Sequence, residues 1–303
     1  MERTSLLGLT EGHAKTWLAH ARTDGPNLEP ALNLMYDVAW QYGVQLHEPK
    51  TTFALSELAM AAAAEVHGED HFLTFRGGYV IATAEGWQGR LADAQARLEK
   101  VVSSQERIYG PEDTLLLDMQ MRLAQILSRQ GKLTEALVLH ERVIPIRKRV
   151  QGMDDILVFR HTDQYGHVLE KLKRFDDAFE HFSQANNGFT RHLGEQHHWS
   201  LLSLRNLSNV QRLRGKLQEA REGLIAARKG LEKSNGPKHP MTLTTITWLA
   251  EVYRQQGDLN EALALHELAL AGRKERLGEG NSSTMESERM VAAVKEEQAS
   301  RVT

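Results

Sequence analysis

The chain has 303 residues, 41% of them hydrophobic and 25% charged, and a formal net charge of −3. That composition can bury a core and argues against disorder, and the charge supplies no basic field to draw nucleic acid. With no cysteine, disulfides, thiolate metal sites and a cysteine nucleophile are excluded, and a reducing, cytoplasmic setting fits. No apolar run reaches the roughly 18 residues of a membrane span. The opening stretch MERTSLLGLTEGHAKTW has only a short apolar patch before charge follows, so no signal peptide and no membrane association are expected.

In chain order, residues 1–27 read as a segment with one extra helix over Thr10–Thr23, ended by Asp24, Gly25 and Pro26. Residues 28–68 have the length of one later unit but lack its wording, and are expected to form a degenerate helix pair. From 69 to 278 a phrase recurs: QGRLADAQ from Gln88, QGKLTEAL from Gln130, LKRFDDAF from Leu172, RGKLQEAR from Arg214 and QGDLNEAL from Gln256. Its apolar anchor falls at Leu91, Leu133, Phe175, Leu217 and Leu259, in steps of 42 residues. Gly68, Gly110, Gly152, Gly194, Gly236 and Gly278 keep the same step of 42. Two markers on one period with no insertion point to five stacked units.

Each unit reads as two helices. In TLTTITWLAEVYRQQ, Leu243, Ile246, Leu249, Ala250 and Tyr253 have helical spacing, and Gly257 ends the run. The following LNEALALHELALAGRKERLG puts Leu259, Ala262, Leu263, His266, Ala269 and Leu270 on one stripe, with basic residues in its last turn and Gly278 after it. Ala94, Ala136, Ala178, Ala220 and Ala262 are small where two antiparallel helices must approach closely. Pro145 is expected to kink one second helix. Residues 279–303 read as a charged capping helix that presents the end of the array to water.

The run Leu249–Leu270, with Leu-Ala-x-x-Tyr-x-x-Gln-Gly-x-Leu-x-Glu-Ala-Leu, resembles a tetratricopeptide (TPR) repeat. The period of 42, the loop Gly236–Leu243 and the ending Arg273–Gly278 resemble the kinesin-light-chain type. The resemblance covers about 69–278. It implies an all-α, right-handed superhelical TPR solenoid of antiparallel helix pairs, with ligands in a concave groove lined by the first helices. Counting Leu243 as first in its unit, the implied groove positions are the second, fifth, sixth and ninth. The chosen groove residues are Arg76, Arg122, Gln125, Arg160, Asp163, Gln164, His167, Arg205, Asn206, Asn209 and Trp248. Arginine grips carboxylate or phosphate in two-pronged fashion, and Asn and Gln match both polar edges of an extended peptide. Val80, Met121 and Trp248 are read as apolar pockets along the same path. The asparagine that kinesin-light-chain repeats tend to carry at the sixth position survives only as Asn206, and the Lys/Asn clamp of co-chaperone TPRs is absent as a set.

These readings point to a scaffold or adaptor that binds a protein or extended peptide, with no cofactor, no metal and no catalytic residue expected. An array with two ends and a groove also leaves room for a homo-oligomer. The alternative is an enzyme or small-molecule receptor with a compact polar pocket around His167, because Asp163, His167, Arg160 and Arg205 together could move a proton. His140 and His266, three periods apart, sit where the family often has an aromatic and are read as core. His67 and His71 bracket Gly68, and that loop does not give the helical i, i+4 geometry of a metal pair.

Overall fold

The computed structural model describes Gly12, Thr16, Leu18, Ala19 and residues 28–45 and 48–301. Of the helix expected over Thr10–Thr23, those first four residues are helical and the remainder lies outside the described residues. Thirteen further helices follow among the described residues: α1 (Leu28–Gln45), α2 (Pro49–His67), α3 (Phe72–Trp87), α4 (Leu91–Tyr109), α5 (Thr114–Arg129), α6 (Leu133–Gln151), α7 (Ile156–Lys171), α8 (Phe175–Leu193), α9 (His198–Leu213), α10 (Leu217–Asn235), α11 (Pro240–Gln256), α12 (Leu259–Leu277) and α13 (Ser282–Ser300). No strand occurs among the described residues. The chain is all-α.

The period of 42 is visible in the helix starts. From α3 onward the odd-numbered helices begin at Phe72, Thr114, Ile156, His198, Pro240 and Ser282; from α2 the even-numbered ones begin at Pro49, Leu91, Leu133, Phe175, Leu217 and Leu259. Local chemistry fixes these starts. His71, Asp113, Asp155, His197, His239 and Asn281 precede the odd helices, and each side chain accepts a backbone N–H of the first turn. Asp113 Oδ1 takes the Leu116 N–H at 2.8 Å, and Asp155 Oδ1 takes the Leu157 N–H at 2.7 Å. The even helices end at glycines with φ between 82° and 94°, a left-handed conformation that an L side chain resists. The turn from odd to even helix also needs positive φ, supplied by Gly89, Gly131, Gly215 and Gly257, and by Lys173 in the worn copy.

Ala94, Ala136, Ala178, Ala220 and Ala262 are fully buried, as close helix packing requires. A second set of small residues, Gly188, Gly230 and Gly272, also steps by 42 and faces Phe159, Leu201 and Leu243; a Cβ on Gly272 would stand 2.6 Å from Leu243 Cδ2. Helix α6 continues through Pro145 to Gln151. His140 and His266 are each 1% exposed, which places both in the core.

The chain divides into two compact units at Gly152. In the first, Leu32, Tyr36, Ala59 and Leu73 form a core where α1, α2 and α3 meet. In the second, Phe159, Ala185 and Phe189 join α7 to α8, and Leu243, Ile246 and Ala269 join α11 to α12. A side chain such as Phe182, fully buried, contributes about 2–3 kcal/mol through the apolar area it removes from water.

Candidate functional site

Helical spacing brings the candidate residues of the second unit onto one polar surface of α7, α9 and α11. Asp163, His167 and Glu170 lie three and four residues apart and so share a face of α7. Asn206 on α9 reaches across with its amide: Nδ2 stands 3.2 Å from Asp163 Oδ2 and 3.1 Å from His167 Nε2. Ser203 Oγ donates to Asp163 Oδ1 at 3.0 Å. One turn on, Asn209 Nδ2 donates to Glu170 Oε1 at 2.7 Å, and Arg212 donates to Asn209 Oδ1 at 2.9 Å. His167 Nδ1 lies 3.5 Å from Glu170 Oε2. A neutral imidazole with its proton on Nδ1 satisfies both contacts, because Nε2 then accepts from Asn206.

Cations cover this ladder. Arg205 donates to Asn206 Oδ1 at 3.1 Å and stacks over the Trp248 ring at 5.0 Å. Burial works against the Arg205 charge and lowers its pKa, while Asp163 and Glu170 work the other way. Arg160 lies over the Trp199 ring at 6.0 Å. Trp248 also packs against Ala220, Leu224, Leu249 and Val252, so its ring is part core and part surface. The ladder continues toward the C-terminus: Arg254 donates to Glu251 Oε2 at 3.0 Å and to Glu297 at 3.2 Å, and the buried His266 ring nitrogen stands 3.1 Å from Glu251 Oε1. Burial raises the Glu251 pKa, but the hydrogen bonds from His266 and Arg254 outweigh it and hold the carboxyl at about 2.

The candidates of the first unit form a separate group. Arg76 is engaged by α1, with Asp37 at 2.8 Å, Asn33 alongside and the Tyr36 ring at 5.6 Å. Arg122 donates to Gln125 Oε1 at 2.7 Å and stands 5.8 Å over Trp40. Trp40 in turn stacks on Tyr79 at 6.0 Å and meets Trp87 at 5.7 Å.

Two expectations need correction. Val80 and Met121 are 3% and 2% exposed and belong to the core, so they offer no apolar pocket. Asn206 and Asn209 are each 3% exposed and spend their amides on neighbouring helices. Arg160, Asp163, Gln164, His167, Arg205 and Trp248 remain partly exposed. Gln164 Oε1 is buried without a hydrogen-bond partner among the described residues. The buried Ser203 and the partly exposed Glu170, Arg212 and Arg254 belong to the same polar network, although the groove spacing does not include them. The last three sit one turn past the ninth position of their units, and extending the spacing by three residues finds them.

A sequence model of the tetratricopeptide repeat matches residues 79–149, 158–224 and 212–275, more than half of the chain. The chain belongs to the tetratricopeptide repeat family. Among solved structures, this TPR chain is similar to the kinesin light chain nearly identical TPR-like repeats of Podosopora anserina, at 24% identity and a TM-score of 0.57 over 67% of this chain and 95% of that one. BtubC (BKLC) from P. vanneervenii is 19% identical with a TM-score of 0.58, over 82% of this chain and 93% of that one. A Rap protein complexed with Competence and Sporulation Factor is 12% identical with a TM-score of 0.61, over 97% of this chain and 83% of that one. At these identities the likeness shows the fold, that of the superhelical TPR solenoids. No curated protein matches the chain.

Proposed function

We propose that the protein is a TPR scaffold that binds a protein or an extended peptide on the polar surface of its odd-numbered helices. The observation that carries this reading is the ladder of α7, α9 and α11, where a partly buried Arg205 stacks on a half-buried Trp248 beside Asp163 and His167. A tryptophan shared between core and surface, flanked by cations, supplies rigid apolar area with polar edges, which is the composition of interface hot spots. Gln164, partly exposed on this surface, offers an amide that can pair with a peptide backbone. The Rap protein is complexed with Competence and Sporulation Factor, and for this chain a bound protein or peptide is assigned to Arg160, Gln164, His167, Arg205 and Trp248. Arg76, Arg122 and Gln125 are proposed as a further contact set on the first unit. Asp163, Asn206 and Asn209 are assigned the role of holding those contact residues in place.

Among the described residues no helix is long and apolar enough to cross a membrane. A cytoplasmic location, self-association through the array's ends and the absence of a nucleic-acid ligand belong to this proposal. The second reading, a small-molecule or catalytic pocket at His167, draws on its two carboxylate neighbours at 3.7 and 3.5 Å. Both imidazole nitrogens already face protein partners, which favours a positioning role over proton transfer.

The test is to pan a random peptide library against the parent and against an Arg160→Gln, Arg205→Gln, Trp248→Ala triple variant of unchanged helicity. Peptides enriched on the parent and lost on the variant support the groove. Peptides enriched equally on both would remove it as the binding surface.

A further inference from the structure

We propose that Glu29, His67 and His71 form a zinc(II) site that clips α1, the end of α2 and the start of α3 together. Each residue offers one ligand atom, and the three atoms lie within 4.8 Å of one another. Gly68, with φ of 92°, ends α2 and turns the chain back, so that the His71 ring stacks on the His67 ring at 4.4 Å with 22° between planes. The pair is therefore assembled by the turn and not by one helix face. Glu29 arrives from the first turn of α1, with Oε1 3.8 Å from His71 Nε2.

A second observation points to a ligand. His67 Nε2 is buried and has no hydrogen-bond partner among the described residues. Buried polar nitrogens are nearly always paired, so an orphan beside a second imidazole and a carboxylate asks for an electrophile. Two imidazoles and one carboxylate are a zinc donor set, with a fourth position left for water. Ligand atoms around tetrahedral zinc stand about 3.3 Å apart. Closing that gap takes a swing of the exposed Glu29 side chain and a rotation of the His71 ring out of its stack on His67, so that both in-plane lone pairs aim at one point. His71 Nδ1 also accepts the Leu73 N–H, but at 3.4 Å, a long bond. Ligation through Nε2 puts the proton on Nδ1 and exchanges that bond for the metal.

The location gives the clip a purpose. The pair α1–α2 lacks the repeated phrase that organises the later units, and a metal there would bind it to the first regular odd helix.

The experiment titrates tag-free full-length protein with zinc chloride in a calorimeter and melts it with zinc or magnesium present. His67→Gln and His71→Asn are the variants. Asparagine is a good N-cap, so His71→Asn keeps the start of α3 while removing a ligand. The expected result is one zinc per chain on the parent, a zinc-dependent rise in Tm that magnesium does not give, and at least tenfold weaker zinc binding in both variants, with their melting in the absence of metal unchanged or improved. Equal zinc affinity in the parent and both variants would place the metal on other histidines and overturn the proposal. So would the absence of zinc binding to the parent at micromolar concentrations.

Discussion

Lys173 stands at the turn position that glycine fills in the other four copies of the phrase. Gly89, Gly131, Gly215 and Gly257 have φ of 81°, 82°, 77° and 91°, and Lys173 is held at 60°. Its N–H donates to Glu170 O at 2.9 Å, as Gly215 N–H does to Arg212 O at 3.0 Å, so the turn geometry is shared. The Lys173 side chain is exposed and makes no hydrogen bond or ion pair with a described residue. The substitution Lys173→Gly therefore changes the backbone preference and little else. A left-handed L residue costs roughly 1–2 kcal/mol, and glycine gives back about 0.4–1 kcal/mol through the freedom of the unfolded chain. The net expectation is a stabilisation of about 0.5–1 kcal/mol, or about 1–4 °C in Tm for a chain of this size. Urea unfolding followed by circular dichroism reads the first quantity and calorimetry the second, with amide exchange in α7 and α8 as the local check. Gly215→Lys is the reverse control and should cost about 1 kcal/mol. A Lys173→Gly protein no more stable than the parent, beside a destabilised Gly215→Lys, would show that the turn at 173 is not strained.

Three further outcomes are expected. Ala136→Glu puts a carboxylate where the parent is fully buried; it should cost about 4 kcal/mol or more and lower the melting of neighbouring helices together, because array stability comes from neighbour contacts. A variant that melts like the parent would break the proposed helix-pair register. Glu85 is 1% exposed and receives two hydrogen bonds from Arg97, at 2.9 and 3.1 Å, with Arg90 at 3.6 Å. Arg97→Met leaves that buried carboxylate with the weaker partner and should cost about 2 kcal/mol by urea unfolding; a neutral result would mean that Arg90 suffices alone. The Glu251 carboxyl, held at about 2, is depressed below its unfolded value, so its contribution is complete above the ordinary glutamate pKa and is lost as pH falls toward 2. Acid titration of unfolding should therefore show a smaller loss of stability in Glu251→Gln than in the parent over that window, and parallel curves would contradict the assignment.

The architecture was legible because a 42-residue period carries its own check: the anchor leucines, the closing glycines and the helix starts all keep it. Packing roles followed where one residue type repeats, as with the alanines from Ala94 to Ala262. Gly188, Gly230 and Gly272 escaped notice because their partners Phe159, Leu201 and Leu243 lie on another helix, and only the fold pairs them. The histidine caps escaped for a similar reason, since His is an uncommon capping residue and His71, His197 and His239 read as loop. In the candidate site, spacing placed Asp163, His167 and Arg205 near one another. It did not reveal that Asn206 is buried between them, because its amide pairs with Asp163 and His167 of another helix and only the fold brings these together. Trp40 lies in the degenerate pair 28–68, which has no phrase from which to count, and Trp87, in the last turn of α3, falls outside the four groove positions of its unit.

The surface of α7, α9 and α11 is proposed to bind one ligand through Arg205 and Trp248. Its most direct test is the equilibrium affinity, by fluorescence anisotropy, of one peptide selected on the parent, measured for the parent and for Arg205→Gln and Trp248→Ala. At least tenfold weaker binding is expected in each variant, with unchanged helicity. Equal affinity in all three would contradict it.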